Sequence, residues 1–210
     1  FWAAPNTMSI PARRIRPGAG EVARAAALLA TAKRPVLLVG GGVHLGDGYK
    51  ALQDFAEALN IPVAHTMSGK GSLACSHPLS AGLFGRYTRI ANDLIETSDC
   101  LLAVGCKLGE IATKRYALLP GDVPLIQLDI LAEELGRCSR VTEGLWGDAG
   151  EGLTALLEEL SDSAAKQRAA RADYVAEVPT RMATWLDGAK DRLESTETPI
   201  NMARMINELN

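Results

Sequence analysis

Three consecutive glycines, Gly40-Gly41-Gly42, follow directly on the apolar run Val36-Leu-Leu-Val39. An unbroken apolar run of this length reads as a strand buried on both faces, and glycine after it lets the backbone approach a ligand closely. In an α/β protein such a turn lies at the carboxyl edge of the sheet, where amides can meet phosphate. Two neighbouring motifs fall short of better-defined chemistry. Gly40-x-Gly42-x-x-x-Gly46 is one residue off the dinucleotide spacing, and the next apolar run ends in His65-Thr66 rather than an acid for a ribose. Ser68-Gly69-Lys70-Gly71 echoes a phosphate loop, yet lacks the earlier glycine and has no hydroxyl after Lys70. Lys70 reads as a surface lysine or as a phosphate contact.

Asp47, between Gly46 and Gly48, would need a partner asparagine further along to ligate Mg²⁺, and Ser72 to Ser76 supply none. The residue is read instead as the N-cap of the helix that follows. His44, His65 and His77 are scattered, and no Gly-x-Ser-x-Gly is present, so no catalytic residue and no metal ligand is assigned. Cys75, Cys100, Cys106 and Cys138 show neither paired nor zinc-type spacing. They read as free thiols in a reducing compartment, which places the protein in the cytoplasm.

The elements that must position the glycine turn alternate regularly. Gly20 to Lys33 reads as a helix, Val36 to Val39 as a strand, and Leu52, Phe55, Ala56 and Leu59 as one face of the next helix. Ile61 to His65, Cys100 to Gly105, Val123 to Asp129 and Val141 to Trp146 read as further strands. Thr66 to Gly85 reads as a long functional loop, Ala91 to Thr97 as a short helix, and Gly147-Asp148 as the start of a helix to about Leu160. The expected fold is α/β: a doubly wound, mainly parallel, Rossmann-like sheet of five to six strands, with a helical connector from Ser161 to Leu193. Phe55, Trp146 and Trp185 are expected in core or interface packing.

The 210 residues are 47% hydrophobic and 22% charged, with a formal net charge of −3. That balance suits one globular core, offers no electrostatic footprint for nucleic acid, and contains no apolar run long enough for a membrane span. The first residue is Phe1, and Thr198-Pro199 opens an apolar helix-like segment at the other end, with Thr198 as expected N-cap. The chain therefore reads as a piece of a longer protein.

The order of the signals carries a resemblance. Arg34-Pro-Val through Gly42, Ile61-Pro-Val-Ala-His-Thr-Met-Ser-Gly-Lys-Gly71, His77-Pro78 with Gly82 and Gly85, Ser98-Asp-Cys-Leu-Leu-Ala-Val-Gly105, Leu128-Asp-Ile130 and Gly147-Asp148 occur in sequence. Together they resemble the central domain of thiamine-diphosphate-dependent enzymes of the acetolactate synthase, benzoylformate decarboxylase and oxalyl-CoA decarboxylase type. The resemblance divides the chain into a linker (1–19), the central nucleotide-binding-like domain (20–160), the connector (161–198) and the start of a following domain (199–210). It implies a carboligase or decarboxylase of 2-oxo acids whose thiamine diphosphate and Mg²⁺ are held by the flanking domains, in a homodimer or homotetramer. The fragment alone is expected to be inactive.

In some members of this family the central domain binds FAD or ADP. The resemblance then implies that Gly40, Gly41, Gly42 and Thr66 meet phosphate or ribose, and that Leu83 and Gly85 lie along a flavin. It implies further that Gly105 and Lys107 border the ligand, and that Asp129 and Asp148 lie near the adenosine part. The chain departs from acetolactate synthases at Leu83-Phe84, at Lys107, where an arginine is usual, and at Leu131. Losing the guanidinium fork favours an ADP-like ligand or an empty site over FAD. The alternatives are a scaffold domain with no ligand and a free-standing nucleotide-binding protein.

Overall fold

The computed structural model describes residues 14–209 together with Trp2, Ala4 and Pro5, so most of the expected linker lies outside the described residues. Six strands form one parallel sheet: β1 (Pro35–Val39), β2 (Val63–His65), β3 (Ser80–Leu83), β4 (Cys100–Val104), β5 (Leu125–Asp129) and β6 (Glu143–Trp146). Their order is β3-β2-β1-β4-β5-β6. The chain leaves β1 toward β2 but leaves β4 toward β5, so a crevice opens where these two connections diverge.

Both faces of the sheet are covered, which is why β1 and β4 are apolar throughout and all five positions of β5, Gln127 and Asp129 included, are buried. Leu37, Val39, Leu102 and Leu128 pack with α1 (Ala19–Thr31), α3 (Tyr49–Leu59) and α5 (Ala149–Glu159). Val36, Leu38, Leu101 and Ala103 pack with α4 (Ala91–Glu96) and with Tyr174 and Val178 of α7 (Ala172–Leu193). A one-turn helix, α2 (Gly42–Leu45), links the glycine turn to α3, and α6 (Ser161–Ala170) precedes α7.

Five strands were anticipated close to where they lie. The sixth, β3, runs through the stretch expected to be loop, because Ser80-Ala-Gly-Leu83 is too short and too glycine-bearing to show a strand pattern. Asp47 does not cap α3: its φ is +49° and the capping position is Gly48. The last helix, α8 (Met202–Glu208), is capped by Asn201, which accepts from the Ala203 amide at 3.0 Å, and not by Thr198. Phe55 is core and Trp185 packs against the second core cluster, but Trp146 is exposed, its indole donating to the Ile130 carbonyl at 2.9 Å.

The connector is anchored more deeply than a surface segment. Arg171, between α6 and α7, is 1% exposed and donates to the carbonyls of Leu29, Ala32 and Leu59. These carbonyls lie at the ends of α1 and α3, where helices leave acceptors unpaired and the dipole favours a cation. Arg34 adds a bidentate bond to Glu177 at 2.7 and 3.0 Å and stacks over Tyr174. Among the described residues, no helix is long and apolar enough to cross a membrane.

Candidate functional site

Gly40 to Gly42 and Gly105 meet at the crevice between β1 and β4. A Cβ on Gly40 would lie 2.2 Å from the Gly105 carbonyl oxygen, and one on Gly42 would lie 2.5 Å from the Gly105 Cα. Gly105 itself has a φ of +54°. These three glycines are therefore required for the two turns to touch. The same contact uses their amides: Gly40 donates to Val104 at 2.9 Å and Gly42 to Gly105 at 3.0 Å. Of the amides expected to meet phosphate or ribose, those of Gly40 and Gly42 are thus engaged within the fold. The hydrogen bonds of the turn leave out the Gly41 N–H, and Gly41 sits over Ser68 in ordinary backbone geometry.

Two cavities flank this contact and share Gly42, Leu45 and Gly105 in their walls. One, of about 330 Å³, is lined by Gly40, Gly41, Thr66, Ser68 and Lys107. Thr66 and Ser68 pair their hydroxyls at 3.2 Å, and the Lys107 ammonium lies 3.4 Å from Glu134. The other, of about 320 Å³, is walled by Ile15, Leu128, Ile130 and Leu131, with Asp129 and Asp148 as its carboxylates. End to end they form a mainly apolar groove along the carboxyl edge, with the Thr66, Ser68 and Lys107 donors in one half and the Asp129 and Asp148 carboxylates in the other. Each half lies at the lower limit of ligand-pocket volumes, about 300–1,000 Å³.

Asp129 is buried and accepts from the Leu131 amide at 3.0 Å; burial pushes its carboxyl above the ordinary range. Asp148 caps α5, accepting from Gly150 and Glu151 at 2.9 and 3.2 Å, and is paired with Arg14 at 3.1 Å. Its helix-capping role, legible in Gly147-Asp148, thus coexists with its place in the cavity wall. Leu83 and Gly85 do not line either cavity. Gly85 has a φ of +108°, a Cβ there would meet the Ala112 carbonyl oxygen at 2.6 Å, and Asn92 bonds both its amide and its carbonyl. Sequence reasoning missed Ser68, Leu45 and Ile15. The hydroxyl of Ser68, two residues beyond Thr66, was a usable signal; the two aliphatic residues gave none.

Two of the histidines, His65 and His77, are held by local contacts. His77 accepts at Nδ1 from the Leu79 amide, so its Nε2 carries the proton toward Glu57 at 3.0 Å. His65 contacts the Thr66 carbonyl at 3.0 Å, and burial lowers its pKa.

A parallel sheet in this order with a groove at its switch point defines a Rossmann-like α/β domain. The chain belongs to the thiamine pyrophosphate enzymes as their central domain: the family model described as "Thiamine pyrophosphate enzyme, central domain" matches residues 22–156. The acetolactate synthase large subunit of Corynebacterium glutamicum is 34% identical over 165 residues, covering 77% of this chain and 26% of that protein. The sulfoacetaldehyde acetyltransferase of Roseovarius nubinhibens is 37% identical over 155 residues, covering 71% and 26%. An X-ray structure described as a thiamin diphosphate-dependent enzyme isolated from Mycobacterium smegmatis superposes with a TM-score of 0.59 at 26% identity, covering 70% of this chain and 28% of that one. The chain thus spans about a quarter of the length of these relatives.

The residues of this chain do not fit thiamine diphosphate with its metal ion. Among the described residues no three His, Cys, Asp or Glu side chains gather as ligands, and Asp47 stands in a tight left-handed turn with no partner asparagine. No chemical step is assigned to this domain through that cofactor.

Proposed function

We propose that this chain is the central domain of a cytoplasmic, acetolactate-synthase-like enzyme that ligates or decarboxylates 2-oxo acids, and that its groove holds an adenine nucleotide. The thiamine diphosphate and Mg²⁺ belong to the domains on either side, and the assembled protein is a homodimer or homotetramer. The similarity to acetolactate synthase and sulfoacetaldehyde acetyltransferase supports the reading of the parent reaction. One observation carries the reading of the groove: two cavities share Gly42, Leu45 and Gly105 in their walls, one bearing Thr66, Ser68 and Lys107 and the other Asp129 and Asp148.

In this reading the Gly41 amide, the Thr66 and Ser68 hydroxyls and Lys107 receive the diphosphate. Adenine lies between Leu45, Ile130 and Leu131, and Asp129 accepts from the ribose. ADP is favoured over FAD, because Leu83 and Gly85 stand outside the groove and Asn92 holds Gly85 in place. A domain with no ligand is the second reading, favoured by the steric need for Gly40, Gly42 and Gly105 in packing alone.

Calorimetric titration with ADP, FAD, coenzyme A and NAD separates the two. Binding of ADP that is lost in Gly41→Val or Asp129→Ala is the expected result. No heat with any of the four would leave the packing reading.

A further inference from the structure

The apolar half of the groove is closed on one side by a short strap, residues 14–17, that reaches it from outside the domain. Ile15 is part of the cavity wall, and its carbonyl accepts the Asp148 amide at 2.8 Å. Pro17 is buried against Gly147, where a Cβ would lie 2.6 Å from the proline Cδ. Arg14 fastens the strap across the rim: its Nη1 donates to the Gly46 carbonyl and to Asp148 Oδ1 at 3.1 Å. Gly46 and Asp148 are themselves wall residues, one from the β1 side of the crevice and one from the β6 side.

Resting on the nucleotide reading above, we infer that Arg14 is a latch: it holds the strap as the removable wall of the adenosine end, so that a bound nucleotide is retained only while the strap is fastened. Arg14 does not line the cavity, so it is a positioning residue acting through Ile15 and Asp148. Asp148 is suited to the part because its Oδ1, besides the Arg14 bond, accepts from the Gly150 and Glu151 amides, and those two capping bonds remain when Arg14 is replaced. Unlatching therefore loosens the wall without unfolding the helix.

The test is titration of the intact protein with ADP, with dissociation followed by stopped flow, in wild type, Arg14→Met, Arg14→Lys and Gly41→Val. Arg14→Met is expected to weaken ADP about tenfold, through faster dissociation, in keeping with the loss of both Arg14 hydrogen bonds at a partly exposed position. Arg14→Lys should restore part of the affinity, whereas a merely structural arginine would show no such graded rescue. Amide exchange at Asp148 should accelerate in Arg14→Met whether or not ADP is present. Unchanged exchange there overturns the latch irrespective of ligand. ADP binding that is abolished by Gly41→Val but untouched by Arg14→Met overturns the latch and spares the nucleotide site. Absence of ADP binding in the wild type overturns both.

Discussion

Single residues in this domain do their work mainly through burial and pairing. The Arg34 guanidinium, hydrogen-bonded to Glu177 in two places, pulls that carboxyl down to about 2. Its unfolded value lies near 4.5, so the stabilisation is complete above about pH 4.5 and is lost as pH falls toward 2. Glu177→Gln should flatten the acid limb of a stability–pH curve, by no more than about 1 kcal/mol because the pair is partly solvated. Burial raises the Cys100 thiol to about 12 and the Cys106 thiol to about 11, whereas Cys75 is exposed. A thiol reagent applied to native protein should label Cys75 first and leave Cys100 and Cys106 unmodified until unfolding; early labelling at Cys106 would contradict the burial argument. The glycine turn and Asp129 were legible in sequence because a strand end next to glycine or a carboxylate is a local pattern. The spent amides of Gly40 and Gly42 were not, since their acceptors, Val104 and Gly105, lie far along the chain.

At the scale of elements, contacts between turns and helix ends decide stability. Gly105→Ala puts a Cβ 2.6 Å from the Gly42 Cα at a left-handed backbone position, and should destabilise by at least about 2 kcal/mol. Gly109→Ala, with nothing within 4 Å, is the control expected to melt like the wild type. Arg171→Met removes the donor to the ends of α1 and α3 and should cost about 2–4 kcal/mol, read as a lowered denaturation midpoint with an unchanged slope. The helices and the long strands followed from their apolar periodicity. By contrast, among the described residues β3 is paired only by its neighbour β2, and nothing in Ser80-Ala-Gly-Leu83 marks it. The anchoring of the connector was equally hidden: an arginine in an Ala/Glu/Arg-rich stretch reads as solvated until its carbonyl partners are seen.

Taken whole, the two edges of the sheet are built differently. The amino edge of the sheet is tied to the connector by Arg171, Arg34 and Tyr174, whose hydroxyl donates to the Pro35 carbonyl at 3.2 Å. The carboxyl edge carries the groove and leaves Leu45 and Met67 largely exposed beside it. Family membership was readable from the order of motifs although no single motif was decisive, because each marks one strand end of the same sheet. The strap closing the groove was not readable, since Arg14 and Asp148 are 134 residues apart. Whether the joined cavities form a nucleotide site is decided by calorimetry with ADP. Saturable binding of ADP to the wild type, abolished by Gly41→Val and Asp129→Ala, is expected. Folded wild-type protein that gives no heat with ADP or FAD, or binding that survives both substitutions, would contradict it.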